Sequence, residues 1–279
     1  MNDFVKRLTV KSIGRYINTI ALFSKENAGK RAYKIFCSPR KGKLSEKQRT
    51  YLKTADKWTT LLADNDKVQC YEWFGSGPKV LLAHGWESNS GRWKNLIKSL
   101  QKADYHIIAL DAPAHGESGS SYFQAVKFAG FIGAAVAYFQ PQSIVGHSVG
   151  GYATLYFLTH TEHQVERVVS LGAPSDLTQI LDNYCRLLGY SARVRTALFA
   201  HVHKVFGEPV SYFKIHNFVT RLEMPGLVIH GKDDEVCAYE DAEMITQNWK
   251  NATLLTSENL GHGYQDRKMY HAIRDFLKK

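Results

Sequence analysis

The chain has 279 residues, 44% of them hydrophobic, and a formal charge of +10; that length suits one α/β domain, or one domain with an insertion, and allows a large core. Cys37, Cys70, Cys185 and Cys237 show no C-x-x-C and no paired spacing, which argues against a disulfide frame or a zinc site and favours a reducing compartment. The longest apolar run, residues 128–139, is too short to span a bilayer, and Lys11 and Arg15 interrupt any signal-like stretch, so a soluble, cytoplasmic protein is expected.

The charge is concentrated at one end. Thirteen of the 36 Lys and Arg fall in the first fifty residues, opposed by Asp3, Glu26 and Glu46, so this segment carries the whole excess. Residues 1–66 read as a basic helical extension. Ile13, Ile17 and Ile20 share one helical face, residues 38–43 break the pattern, and a second helix is expected over residues 45–62. The favoured reading is an extra helical layer with a solvated basic face. Contact with an anionic membrane is the competing one, and nucleic acid is not expected, because the basic residues lack interleaved aromatics.

From residue 67 onward, strands and helices alternate. Strands are expected over residues 68–74 and 79–83, around the turn Gly75-Ser76-Gly77-Pro78. The second runs into His84-Gly85-Trp86-Glu87, then a helix carries Trp93, Leu96, Ile97 and Leu100 on one face. A strand over 105–110 ends in Asp111-Ala112-Pro113-Ala114-His115-Gly116-Glu117-Ser118, followed by a helix over 121–139. Residues 143–153 follow, then a strand over 167–171. The fifty residues after it are too long for a plain loop and rich in large apolar groups, so a helical lid is expected at about 175–222. Strand, helix, strand and helix close the chain over 226–230, 240–249, 252–256 and 266–277. This alternation predicts a doubly wound, mostly parallel sheet.

Residues 143–153 are where chemistry is expected. A β-branched pair runs into Gly146-His147-Ser148-Val149-Gly150, and a small-residue helix start follows. In such a turn the serine oxygen stands clear of the sheet, and glycines two residues to either side avoid collisions with neighbouring backbone. The helix beginning near Val149 aims free N–H groups and a positive dipole end at the reacting oxygen.

With His-Gly after one strand, Asp-x-Pro-x-His-Gly-x-Ser after the next, the Ser148 turn, the acidic turn Gly231-Lys232-Asp233-Asp234-Glu235-Val236 and the late Gly261-His262-Gly263, residues 67–279 resemble the α/β-hydrolase fold superfamily. Residues 1–66 lie outside the resemblance. It implies Ser148 as nucleophile, His262 as base and Asp234 as the acid that orients it, in the order this fold uses. Asp233 is the local rival for the acid and Asp176 the distant one. Oxyanion donors are expected from the backbone N–H groups of Val149 and Trp86. His84, His115, His147 and His230 are expected to orient loops or to pack.

The implied function is hydrolysis of a carboxylic ester of some apolar character through an acyl-enzyme, with no cofactor. His201-x-His203 is not metal-like, because residues two apart on a helix face different ways. Thioesterase, lactonase or C–C hydrolase chemistry on the same residues is the alternative. A binding protein with a vestigial triad is the reading from another class.

Overall fold

The structure, a computed structural model, describes residues 3–278, with side chains from residue 8 onward. Helices α1 (Asp3–Phe23), α2 (Lys25–Phe36) and α3 (Glu46–Leu52) precede strands β1 (Lys57–Ala63), β2 (Asp66–Trp73) and β3 (Lys79–Ala83). Then α4 (Lys94–Gln101), β4 (His106–Leu110), α5 (Ala125–Phe139), β5 (Ser143–His147), α6 (Val149–His160) and β6 (Arg167–Leu171) alternate. Helices α7 (Leu177–Leu188), α8 (Ala192–Phe206) and the short α9 (Ile215–Phe218) follow. Strand β7 (Gly226–Gly231), helix α10 (Tyr239–Asn248), strand β8 (Ala252–Ser257) and helix α11 (Arg267–Leu277) end the chain.

The chain forms two compact units, one of residues 39–175 and 215–279, the other of residues 1–38 and 176–214. The larger unit holds an eight-stranded sheet in the order β1-β2-β4-β3-β5-β6-β7-β8. Strand β2 runs antiparallel to both β1 and β4, and the pairs from β4 through β3 to β8 are parallel. Parallel strands covered on both faces read as continuous apolar runs whose side chains alternate between two layers. In β3, Leu81 and Ala83 point into one layer, while Val80 and Leu82 point into the other. The first layer is closed by Phe128 and Ile132 of α5, Leu155 of α6 and Ile245 of α10. The second is closed by Leu96, Ile97 and Leu100 of α4 and by Met269 and Ile273 of α11. Truncating any one of these fully buried groups to alanine is worth roughly 2–5 kcal/mol.

The smaller unit is helical. Helix α1 buries Ile17 and Ala21, α2 buries Ala28 and Ala32, and both pack with Leu181 of α7 and with Val194 and Leu198 of α8. Asn18 ties α1 to the α7–α8 turn, donating to the Gly189 carbonyl (2.9 Å) and accepting from the Ser191 N–H (2.9 Å). Ser24, Asp176 and Ser191 cap the N-termini of α2, α7 and α8 with side-chain oxygens. Helices α7 and α8 leave the sheet after β6, within the interval expected to hold a helical insertion.

The helix expected over residues 45–62 is shorter than that. Ser45 and Gln48 close a capping box on α3, which stops after Leu52. Residues 57–63 are strand β1, paired in register with β2 from Lys57 opposite Glu72 to Ala63 opposite Asp66. The reason is turn chemistry: Asp64 and Asn65 both take positive φ, 48° and 64°, as a two-residue hairpin requires. The Asp-Asn pair is the signal that helical reading of this stretch passes over.

Candidate active site

Everything in the site hangs from the carboxyl ends of the strands. Ser148 joins β5 to α6 with φ 54° and ψ −127°, a strained conformation for a residue with a side chain. Two interactions hold it there: its N–H donates to the Leu171 carbonyl (2.8 Å), and its carbonyl accepts from the Tyr152 N–H (3.0 Å). The turn leaves no room beside it. A Cβ on Gly150 would lie 2.4 Å from the carbonyl oxygens of Ala83 and His84. A Cβ on Gly85 would lie 3.0 Å from the Ser148 Cβ, so the loop after β3 passes directly by the serine.

Three expected residues meet. His262, in a turn of 3₁₀ helix between β8 and α11, places Nε2 3.0 Å from the Ser148 Oγ. Its Nδ1 lies 2.8 Å from Oδ2 and 3.0 Å from Oδ1 of Asp234, in the turn after β7. An ionised carboxylate only accepts, so Nδ1 carries the proton and Nε2 is free to accept from the serine hydroxyl. The Asp234 carboxylate also accepts from the N–H groups of Val236 (2.9 Å) and Cys237 (3.0 Å) and from the Tyr264 hydroxyl (3.0 Å). Burial alone would raise its pKa; the bonds from His262, Cys237 and Val236 outweigh burial and hold it at about 2. Asp234 is therefore ionised at neutral pH.

The rival carboxylates go elsewhere. Asp176 caps α7 by accepting from the Thr178 N–H (2.7 Å) and lies 3.6 Å from the Lys214 ammonium. Asp233 accepts from the N–H groups of Leu260 (3.2 Å) and Gly261 (2.9 Å). It thus clamps the loop that carries His262 without touching the ring.

Four other histidines organise loops. His84 accepts from the Ala112 N–H at Nε2 (2.9 Å), so its Nδ1 proton points to the Gly85 carbonyl (2.8 Å). His115 accepts from the Glu87 N–H at Nε2 (3.0 Å) and donates from Nδ1 to the Pro113 carbonyl (2.7 Å). Together they fix the segment that contains Trp86, whose indole meets the His115 and Phe123 rings edge-on. His230 holds the acid turn through the Cys237 carbonyl (3.0 Å). His147 donates from Nε2 to the His262 carbonyl (2.8 Å), and burial keeps its pKa well below the ordinary value, so it stays neutral. Val149 is the first residue of α6, where N–H groups have no acceptor inside the helix.

Some members of this constellation carry no sequence signal. Arg92 donates to the Gly263 carbonyl (2.8 Å), holding the His262 turn from the other side. Tyr264 accepts from the Gly231 N–H (3.1 Å) while it donates to Asp234, so it links β7 to the acid. The Cys237 thiol comes within hydrogen-bonding reach of Ser148, and burial raises its pKa far above the usual thiol range. Among the described residues no cluster of His, Cys, Asp or Glu could hold a metal ion.

Residues 78–207 match the family model for the alpha/beta hydrolase fold. The chain is similar to the human (Homo sapiens) monoacylglycerol lipase ABHD6, with 24% identity over 257 residues, covering 73% of this chain and 76% of that one. Among solved structures, the esterase EaEST from Exiguobacterium antarcticum superposes with a TM-score of 0.61 at 20% identity, covering 80% of this chain and all of that one. A meta-cleavage product hydrolase from Pseudomonas fluorescens IP01 superposes with a TM-score of 0.59 at 20% identity, covering 79% and 97%. At these identities the structural likenesses speak for the fold alone.

Proposed function

This chain belongs to the α/β-hydrolase fold superfamily, and from that premise we propose that it cleaves a carboxylic ester through an acyl-enzyme on Ser148. The observation that carries the proposal is the unbroken chain of hydrogen bonds from Ser148 Oγ to His262 Nε2 and from His262 Nδ1 to Asp234. A serine hydroxyl attacks poorly unless its proton leaves as the new bond forms. In the proposed mechanism Ser148 Oγ adds to the ester carbonyl while His262 Nε2 takes its proton. Asp234 keeps the imidazole in the correct tautomer and stabilises the imidazolium.

The carbonyl oxygen becomes an oxyanion, which accepts hydrogen bonds from the backbone N–H groups of Val149 and Trp86. His262 then returns its proton to the departing alkoxide, and the alcohol leaves. A water molecule, deprotonated by the same imidazole, adds to the acyl-enzyme. Collapse of that intermediate frees the carboxylic acid and restores the Ser148 hydroxyl.

The substrate is a small ester whose acyl group has hydrocarbon character. Similarity to a protein named for monoacylglycerol hydrolysis supports this. The test is a panel of p-nitrophenyl esters of increasing chain length, run on the wild type and Ser148→Ala, with fluorophosphonate labelling beside it. Rising kcat/KM with chain length, labelling of the wild type and none of the variant is the expected outcome. A wild type that neither labels nor turns over any ester sinks the proposal.

A further inference from the structure

Helix α1 has two faces, and only one of them is used by the fold. Ile17 and Ala21 face the core of the helical unit. The opposite face follows the spacing Leu8, Lys11, Arg15, Leu22, with Tyr16 and Phe23 alongside, and all six are exposed. Leu22 is 69% and Phe23 87% accessible, at the corner where α1 turns into α2. Ser12 and Thr19 are the other exposed members of the face. Leu22 and Phe23 are adjacent, so they form a contiguous apolar tip rather than two scattered groups.

The charges on this face are of one sign. Between Asp3 and Glu26 the sequence has no acid. Glu26 itself is taken up by the Lys204 ammonium at 2.9 Å. From α2, Arg31 donates to the Tyr16 hydroxyl (3.0 Å), which adds a cation to the edge of the face. Lys11 and Arg15 thus lie between Leu8 and Leu22 along the face, and Arg31 lies at its edge beside Tyr16. A second copy of the chain would set these cations against each other. A nucleic-acid backbone would satisfy the cations but leave Leu8, Leu22 and Phe23 without a partner. An anionic phospholipid surface satisfies both, because headgroup phosphates take the cations and the acyl boundary takes the apolar groups.

We propose that the outer face of α1 docks the protein onto anionic phospholipid bilayers, with Leu22 and Phe23 inserted and Lys11, Arg15 and Arg31 at the headgroups. The contact is peripheral: no helix among the described residues is long and apolar enough to cross a membrane. It does not depend on the proposed chemistry of Ser148.

The test is sedimentation of the full chain with vesicles of phosphatidylcholine alone or mixed with phosphatidylglycerol, at low and high salt. The wild type should bind the mixed vesicles, weakly or not at all the neutral ones, and should be released by salt. Each lost cation should weaken binding about fivefold, so Lys11→Gln/Arg15→Gln should lose about 25-fold. Leu22→Ser/Phe23→Ser should lose at least about tenfold at unchanged charge. Unaltered thermal melts of both variants check that the fold is intact, since all four side chains are exposed. Equal binding to both vesicle types, no binding to either, or variants that bind like the wild type would each overturn the proposal. So would a dimer in light scattering that Leu22→Ser/Phe23→Ser dissolves, which would assign the face to a second copy.

Discussion

Replacing Asp234 by asparagine keeps the size and shape of the side chain and removes its charge. In the native site this carboxylate accepts from His262, Val236, Cys237 and Tyr264. An amide has one acceptor oxygen, so it can serve the Val236 and Cys237 N–H groups only by turning its NH2 toward the His262 ring. The ring then presents a bare Nδ1 and carries its proton on Nε2, where it can no longer accept from Ser148. By analogy with the serine-protease triad, kcat should fall by roughly 10⁴-fold.

Stability should fall as well. The pKa of Asp234 lies at about 2 against an ordinary 3.8, and its side chain is fully buried. A depression of that size is worth about 2 kcal/mol in favour of the folded state at neutral pH. The sign follows from linkage: the contribution is complete above the unfolded pKa and is lost as pH falls through the folded one. For a domain of this size the loss corresponds to a melting temperature lower by about 4–8 °C. The assay is ester turnover and thermal melting of the wild type and Asp234→Asn at neutral pH, with the melts repeated in acid. The difference in melting temperature should shrink toward pH 2–3, where the wild type loses the same charge. Turnover within tenfold of the wild type, or a melting difference that does not change with pH, would refute the reasoning.

Ser148→Ala and His262→Ala should each lower kcat by several orders of magnitude with little change in the melt. Their double variant should be about as slow as either single one, because both act on one proton transfer; multiplicative losses would count against a shared mechanism. Removing the hydrogen bond to the His262 carbonyl with His147→Phe should lower kcat about tenfold and leave KM nearly unchanged; an equal rise in KM would mean that the ring contacts substrate instead. In Gly150→Ala the new methyl meets two carbonyl oxygens that cannot move independently of the sheet, so denaturant titration should show a loss of about 1–3 kcal/mol; a variant as stable as the wild type would mean the loop after β3 yields easily.

The parts of this fold that could be read from the sequence are those whose signal is local. Apolar runs ending in small residues mark β3, β5 and β7, because both faces of these strands are covered and their turns demand glycine. Ser148, Asp234 and His262 stand out for the same reason: each sits in a turn at the end of a strand. What escaped was held by contacts distant in sequence. Arg92 and the Gly263 carbonyl are 171 positions apart; His147 was expected to orient a loop or to pack, but its partner, the His262 carbonyl, lies 115 positions away. Asp233 was legible as a rival of Asp234, but not as the clamp on the Leu260 and Gly261 amides, because only the folded chain brings those loops together. In the basic extension read over residues 1–66, α1 and α2 could be recognised as helical and charged, whereas strand β1 could not. Which of its residues would be left in solvent depends on α7 and α8, which the sequence places far away.

That separation has a kinetic consequence during synthesis. Helices α1 and α2 are synthesised well before the helices that bury Ile17, Ala21 and Ala28; Glu26 and its partner Lys204 are 178 residues apart. At the usual elongation rates of about 5–20 residues per second the wait is roughly 10–40 s. Six of the eight strands are made in the interval. For that time α1 and α2 are a nascent amphipathic pair whose apolar side lacks its native cover from α7 and α8. Pulse-chase proteolysis of stalled nascent chains should find them cleavable until α8 has emerged, and protected afterwards.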